Sequence, residues 1–139
     1  MAGSEVYRTI QKPLEVDTIQ DTDHGTLTTY SDLLGNTLRT VLDETQGGVR
    51  TVETTTFNGA DIPIRTETVV HGDDLVTTTV IRDDTGAFVS GTRVVETQYV
   101  FSTVPVNEEG RAIGGRSIQP KNSLQDKDRK SAWQEMGYR

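Results

Sequence analysis

Between residues 26 and 102 the chain consists of short threonine- and valine-rich runs separated by turn signals, and this alternation restricts its fold more than any other feature. Threonine makes up about one residue in four of that stretch, and β-branched side chains favour a pleated, half-exposed surface over a helix. The turn signals are Gly35-Asn36, Gln46-Gly47-Gly48, Asn58-Gly59, His71-Gly72-Asp73-Asp74 and Asp83-Asp84-Thr85-Gly86. Gly-Asn and Asn-Gly supply the positive φ of hairpin turns, so consecutive strands are expected to pair antiparallel. The expected strands are Thr26–Leu34, Thr37–Thr45, Val49–Phe57, Ile62–His71, Leu75–Arg82 and Ala87–Ser102.

Alternation is clearest at Ile62, Ile64, Thr66, Thr68 and Val70, and at Val95, Thr97, Tyr99 and Phe101, which are therefore the expected inward faces. Arg65, Glu67, Glu96 and Gln98 then point away from them. Pro63 marks its strand as an edge, or as one that begins at Ile64, and Ser90-Gly91 predicts a bulge or kink in the last run. Residues 31–44 also admit a helix, with Ser31 as N-cap and Leu34, Leu38, Val41 and Leu42 as a stripe. Gly35, Asn36, Thr37 and Thr40 are poor formers of its interior and favour the hairpin. Arg39-Thr-Val-Leu-Asp-Glu-Thr and Arg50-Thr-Val-Glu-Thr-Thr-Thr look alike, but the spacing to Arg65 and Arg93 is irregular and does not make a solenoid.

The fold class expected is all-β: an antiparallel meander over residues 26–104, as a small sandwich or open barrel, with extended N- and C-terminal arms. Residues 1–25 have scattered apolar positions broken by Pro13 and form the first arm. Residues 105–139, which open with Pro105 and a glycine-containing polar linker, form the second. A short helix is expected from Asp126 with Trp133 and Met136 on one face. The charge is divided accordingly: 7 basic and 16 acidic residues precede position 105, and 7 basic and 5 acidic follow. An acidic body argues against binding nucleic acid directly, and the basic arm is matched to acidic protein surface.

Chemistry is sparse. No cysteine is present, which excludes disulfides and thiolate metal sites. Asp21, Asp23 and Gly25 begin like a calcium loop, but the glycine falls one position early and Asp32 stands where a bidentate glutamate belongs. His24 and His71 adjoin glycine and aspartate in polar turns, with no spacing that brings them together as metal ligands. Ser117 has no histidine nearby in sequence, no Gly-x-Ser-x-Gly motif occurs, and Asp73-Asp74 and Asp83-Asp84 are solvated loop carboxylates. Thr-x-Thr pairs at Thr26/Thr28, Thr54/Thr56, Thr66/Thr68 and Thr77/Thr79 suit an ice-binding array only if the turns were equal, which they are not. Gly110, Gly114 and Gly115 with Arg111 and Arg116 lack the strand-to-helix context of a phosphate loop. The expectation is a non-enzyme with no cofactor, metal or small-molecule substrate.

What remains is architecture. Only 32% of the chain is hydrophobic and 6% aromatic, so a domain of this length has a small core and gains from burial against neighbours. The single tryptophan lies in the polar, charged C-terminal arm with Met136, Tyr138, Arg129, Lys130 and Arg139, types that interface cores favour. These six are the expected partner-binding residues. The layout is similar to that of accessory proteins of virus and phage particles, which tie neighbours together with terminal arms. The expected function is thus a structural subunit of a multi-subunit assembly, a virion or tail component, whose partners are other protein subunits. The alternative is a small acidic module, such as a nucleic-acid mimic, that inhibits a basic partner. With no apolar run of about 20 residues and no basic, apolar leader, a soluble protein made in the cytoplasm and incorporated into a particle is expected.

Overall fold

The computed structural model describes residues 7–11 and 14–121, which form ten antiparallel strands in one open sheet whose order follows the chain. They are β1 Tyr7–Gln11, β2 Val16–Asp21, β3 Gly25–Ser31, β4 Thr37–Gln46, β5 Val49–Phe57, β6 Pro63–His71, β7 Leu75–Arg82, β8 Phe88–Glu96, β9 Val100–Pro105 and β10 Ser117–Pro120. The antiparallel meander is as expected, and it closes into neither sandwich nor barrel. Residues 31–44 are a hairpin. The N-terminal stretch read as an arm carries β1 and β2 in register with β3, and the start of the C-terminal one carries β10 against β9.

The hairpin tips differ systematically between the two ends of the sheet. At one end they are tight, as at Gly47-Gly48, whose φ values of 61 and 82 make the two-residue turn that matches strand twist. At the other end one five-residue loop recurs, opened by Asp32, Asn58, Asp83 and Asn107. In each the side-chain Oδ1 of the first residue accepts the backbone N–H groups of the third and fifth: Leu34 and Asn36, Ala60 and Ile62, Thr85 and Ala87, Glu109 and Arg111. The fourth residue takes positive φ, as Gly35, Asp61, Gly86 and Gly110. A register shift follows each of the first three loops, where Ser31 pairs with Thr37, Phe57 with Pro63 and Arg82 with Phe88. The isolated Val106–Ala112 bridge repeats that spacing after the fourth. The chain is therefore a hairpin repeat of roughly 25 residues.

That repeat is hard to see in the sequence because its two diagnostic positions vary. Asx alternates between aspartate and asparagine, and glycine is replaced by Asp61 in the second copy. Asn58-Gly59 consequently reads as a two-residue turn, whereas Asn58 opens the longer loop and the positive φ falls on Asp61. Pro63 does not mark an edge: β6 is central, and the proline is its first residue at a register shift, where no ladder N–H is lost. The expected kink near Ser90-Gly91 appears as the shift opposite Ile81 and Arg82.

The run expected as one strand to Ser102 is broken at Thr97, whose Oγ1 accepts the N–H groups of Tyr99 and Val100. This turn puts Val95 and Phe101 on opposite faces and leaves Tyr99 72% exposed, correcting the inward face expected for it. Val80 and Val106 are the only buried hydrophobic residues among those described, and Asp17, far from them on β2, is the only buried charged one. Among the described residues, sheet pairing makes up nearly all of the fold.

Candidate interaction surface

Register and the two-residue alternation of strands assign every side chain to one of two faces. On the first, here the charged face, β1 to β6 place Arg8, Asp17, Asp21, Arg39, Asp43, Arg50, Arg65 and Glu67, with His71 at its end. Its charges are matched locally. Arg8 pairs with Asp21 at 2.9 Å, Arg50 grips both oxygens of Asp43 at 2.9 and 2.7 Å, and Lys121 reaches Glu96 at 2.8 Å. Arg39 stacks on Tyr30, 3.9 Å from the ring centre. The Asp43 carboxyl sits below its ordinary pKa because Arg50 donates to it, and Arg50 is raised in return.

The opposite face carries Glu44 and Glu53 as its only charged residues across β2 to β6. One rank of threonines crosses it: Thr9, Thr18, Thr29, Thr40, Thr55 and Thr66 are successive cross-strand partners on six adjacent strands. Such pairs each add about 0.2–1 kcal/mol to sheet pairing and present methyl and hydroxyl groups about 4.8 Å apart. The same line continues as Val80 and Gly91, to which Val106 N–H bonds at 3.0 Å. The Thr-x-Thr pairs noticed along the chain do not form this rank: Thr66/Thr68 lie on this face, and Thr26/Thr28, Thr54/Thr56 and Thr77/Thr79 lie on the other. The signal lay between strands and was invisible without register.

Residues 106–116 fold over β6 to β9 on the threonine side as a small lobe. Gly91 makes the room: a Cβ there would come within 2.7 Å of the Val106 carbonyl oxygen and 2.8 Å of its Cγ2. Arg93 donates to the Gly110 carbonyl at 2.9 Å, and Arg82 approaches Glu108 at 3.9 Å. Beneath the lobe lies an open cleft of about 210 Å³ lined by Glu53, Thr66, Thr68, Thr78, Arg82 and Glu108 among others. It is smaller than ordinary ligand sites. Among the described residues no three His, Cys, Asp or Glu side chains gather as a metal requires.

A second pair of clefts shares Gln98 at the tight-turn end. One, of about 430 Å³, is lined by Tyr99, Val100, Pro120 and Lys121; the other, of about 320 Å³, by His71, Asp73, Asp74, Leu75 and Glu96. The two histidines stay apart, on the β2–β3 turn and at the end of β6. Gly25, suspected in a calcium loop, is required by contact: a Cβ there would run into the Asp43 carbonyl. Asp32 and Asp83 have lowered pKa values, chiefly from the side chains of Asn36 and Thr85 and then from loop amides, so these carboxylates serve the turns. Gly110 closes the fourth loop, and Ser117 is an exposed residue of β10.

The six expected partner-binding residues, Arg129, Lys130, Trp133, Met136, Tyr138 and Arg139, lie outside the described residues, as does the helix expected from Asp126. Among the described residues no helix is long and apolar enough to cross a membrane. The chain matches no protein-family model, no curated protein and no solved structure.

Proposed function

We propose that this protein is a structural, non-enzymatic subunit of a multi-subunit assembly, of the accessory kind that ties neighbours together in virus and phage particles. The observation that carries this reading is the near-absence of a core: 108 residues from position 14 to 121 fold with two buried hydrophobic side chains. A sheet with so little burial gains stability by sharing surface with other subunits. The arm that bears Trp133 is the proposed tie. The cleft beside Tyr99, Val100 and Pro120 has the size and apolar lining to take an indole from a neighbouring copy, and Asp73 and Asp74 next to it suit Arg129, Lys130 and Arg139. The reading as an acidic inhibitor is weaker, because Asp21, Asp43 and Glu96 are already matched by the protein's own Arg8, Arg50 and Lys121.

Native mass measurement tests the proposal. The full chain is expected to run as an oligomer, and removal of residues 123–139 or Trp133→Ala to weaken it while the β signal persists; raised salt weakens only the charged part. A full chain that stays a monomer at high concentration would overturn the reading for self-assembly. A truncated chain that unfolds would show that the tryptophan belongs to its own domain.

A further inference from the structure

We infer that the threonine side of β1 to β5 stacks on the same face of a second copy, so that two single sheets form one sandwich about a twofold axis. The inference rests on the assembly reading above and names the surface that serves it. The lobe covers this side only from β6 to β9, and among the described residues nothing covers it from β1 to β5. There the rank Thr9, Thr18, Thr29, Thr40 and Thr55 is flanked by Val16, Leu27, Leu42 and Phe57.

Charge selects the occupant. The chain carries a net charge of -7, so two copies repel wherever their charged surfaces meet. This patch is the part of the sheet where they can approach with least opposition, since its charges are confined to Glu44 and Glu53 on β4 and β5. A partner chosen by charge would find little here to recognise, whereas a surface of methyls, hydroxyls and leucines complements itself, as an isologous contact requires.

Area is sufficient. Five strands about 4.8 Å apart and roughly seven residues long give a footprint of about 24 by 23 Å, so two copies bury on the order of 1,100 Å² before side-chain relief is counted. That clears the roughly 1,000 Å² a biological interface needs and places the pair at the small end of the scale. Threonine suits a face that is wet in the monomer and dry in the pair: its methyl packs against a sheet stacked about 10 Å away, and its hydroxyl finds partners across the interface.

The test compares Thr40→Lys with Thr54→Lys by native mass, with far-UV circular dichroism as the check on folding. Thr40 lies mid-patch between Thr29 and Thr55, and Thr54 lies on the charged face between Val41 and Glu67. Thr40→Lys is expected to halve the oligomer or weaken its association at least roughly tenfold, and Thr54→Lys to leave it unchanged. An assembly that survives Thr40→Lys intact, or breaks with Thr54→Lys, would overturn the stacked-face inference and leave the assembly reading standing. A wild-type monomer at about 100 µM would overturn both. Should Thr40→Lys fail to fold, Thr40→Cys and Thr54→Cys decide, because the chain has no cysteine. A short bismaleimide is expected to join copies of the Thr40→Cys protein and not of the Thr54→Cys protein, and equal yields from both refute the stack.

Discussion

Gly91→Ala concentrates the packing logic of this sheet in one methyl group. The added Cβ would stand 2.7 Å from the Val106 carbonyl oxygen and 2.8 Å from Val106 Cγ2, where ordinary contact begins near 3.5 Å. The nearer atom belongs to the backbone, so no rotamer change relieves it. Either the start of the lobe moves by about 0.7 Å, stretching the 3.0 Å bond from Val106 N–H to the Gly91 carbonyl, or the lobe leaves the sheet. Overpacking of this kind costs about 1–3 kcal/mol, and lobe opening caps the loss near the value of burying Val106, about 1.5–3 kcal/mol. A destabilisation of about 2 kcal/mol is therefore expected in urea unfolding. Local opening should also speed tryptic cleavage at Arg111 and Arg116 by roughly 30-fold, since cleavage follows the open population. Adding Val106→Ala should restore only part of the loss, because the carbonyl oxygen remains. A Gly91→Ala protein within about 0.5 kcal/mol of wild type and cleaved at the same rate would refute the contact as described.

Further outcomes follow from the turns. Asp83→Asn should keep the turn, since Asn58 and Asn107 fill equivalent places, and should lower the thermal midpoint less than Asp83→Ala does. Asp32, Asp43 and Asp83 have folded pKa values depressed below 3.8, so their contribution is present above about pH 4 and is lost as pH falls through the folded values; acid titration of stability should drop there, and Arg50→Gln should move the Asp43 midpoint upward by NMR. Asp61→Gly places the residue used by the other three loops at a φ of 64 and should stabilise by up to about 1 kcal/mol in urea. Gly25→Ala should cost more than about 3 kcal/mol or shift the β3–β4 register, visible as a lost melting transition. Tyr99→Asp should cost under about 0.5 kcal/mol, because the ring is 72% exposed.

The existence and antiparallel order of β3 to β8, and the limits of β4 to β7 to within one residue, are legible in the chain, because threonine and valine content and glycine turns act over a few residues. Val49–Phe57 and Leu75–Arg82 were read at their observed ends. The strands β1 and β2 were not, since their composition carries no clean alternation and it is pairing with β3 that orders them. The break at Thr97 depends on one hydroxyl capping two amides, which competes with strand extension and has no periodic signature. The faces were the main loss. Whether Tyr99 is in or out, and whether six threonines from six strands share a line, depends on register, and register is decided by hydrogen bonds between residues about 9 to 15 positions apart. Local composition and turn chemistry dictate a ribbon of hairpins with little to bury; which of its sides is charged and which is bare follows from strand pairing, because alternation assigns a residue to a face but cannot say which faces of neighbouring strands coincide.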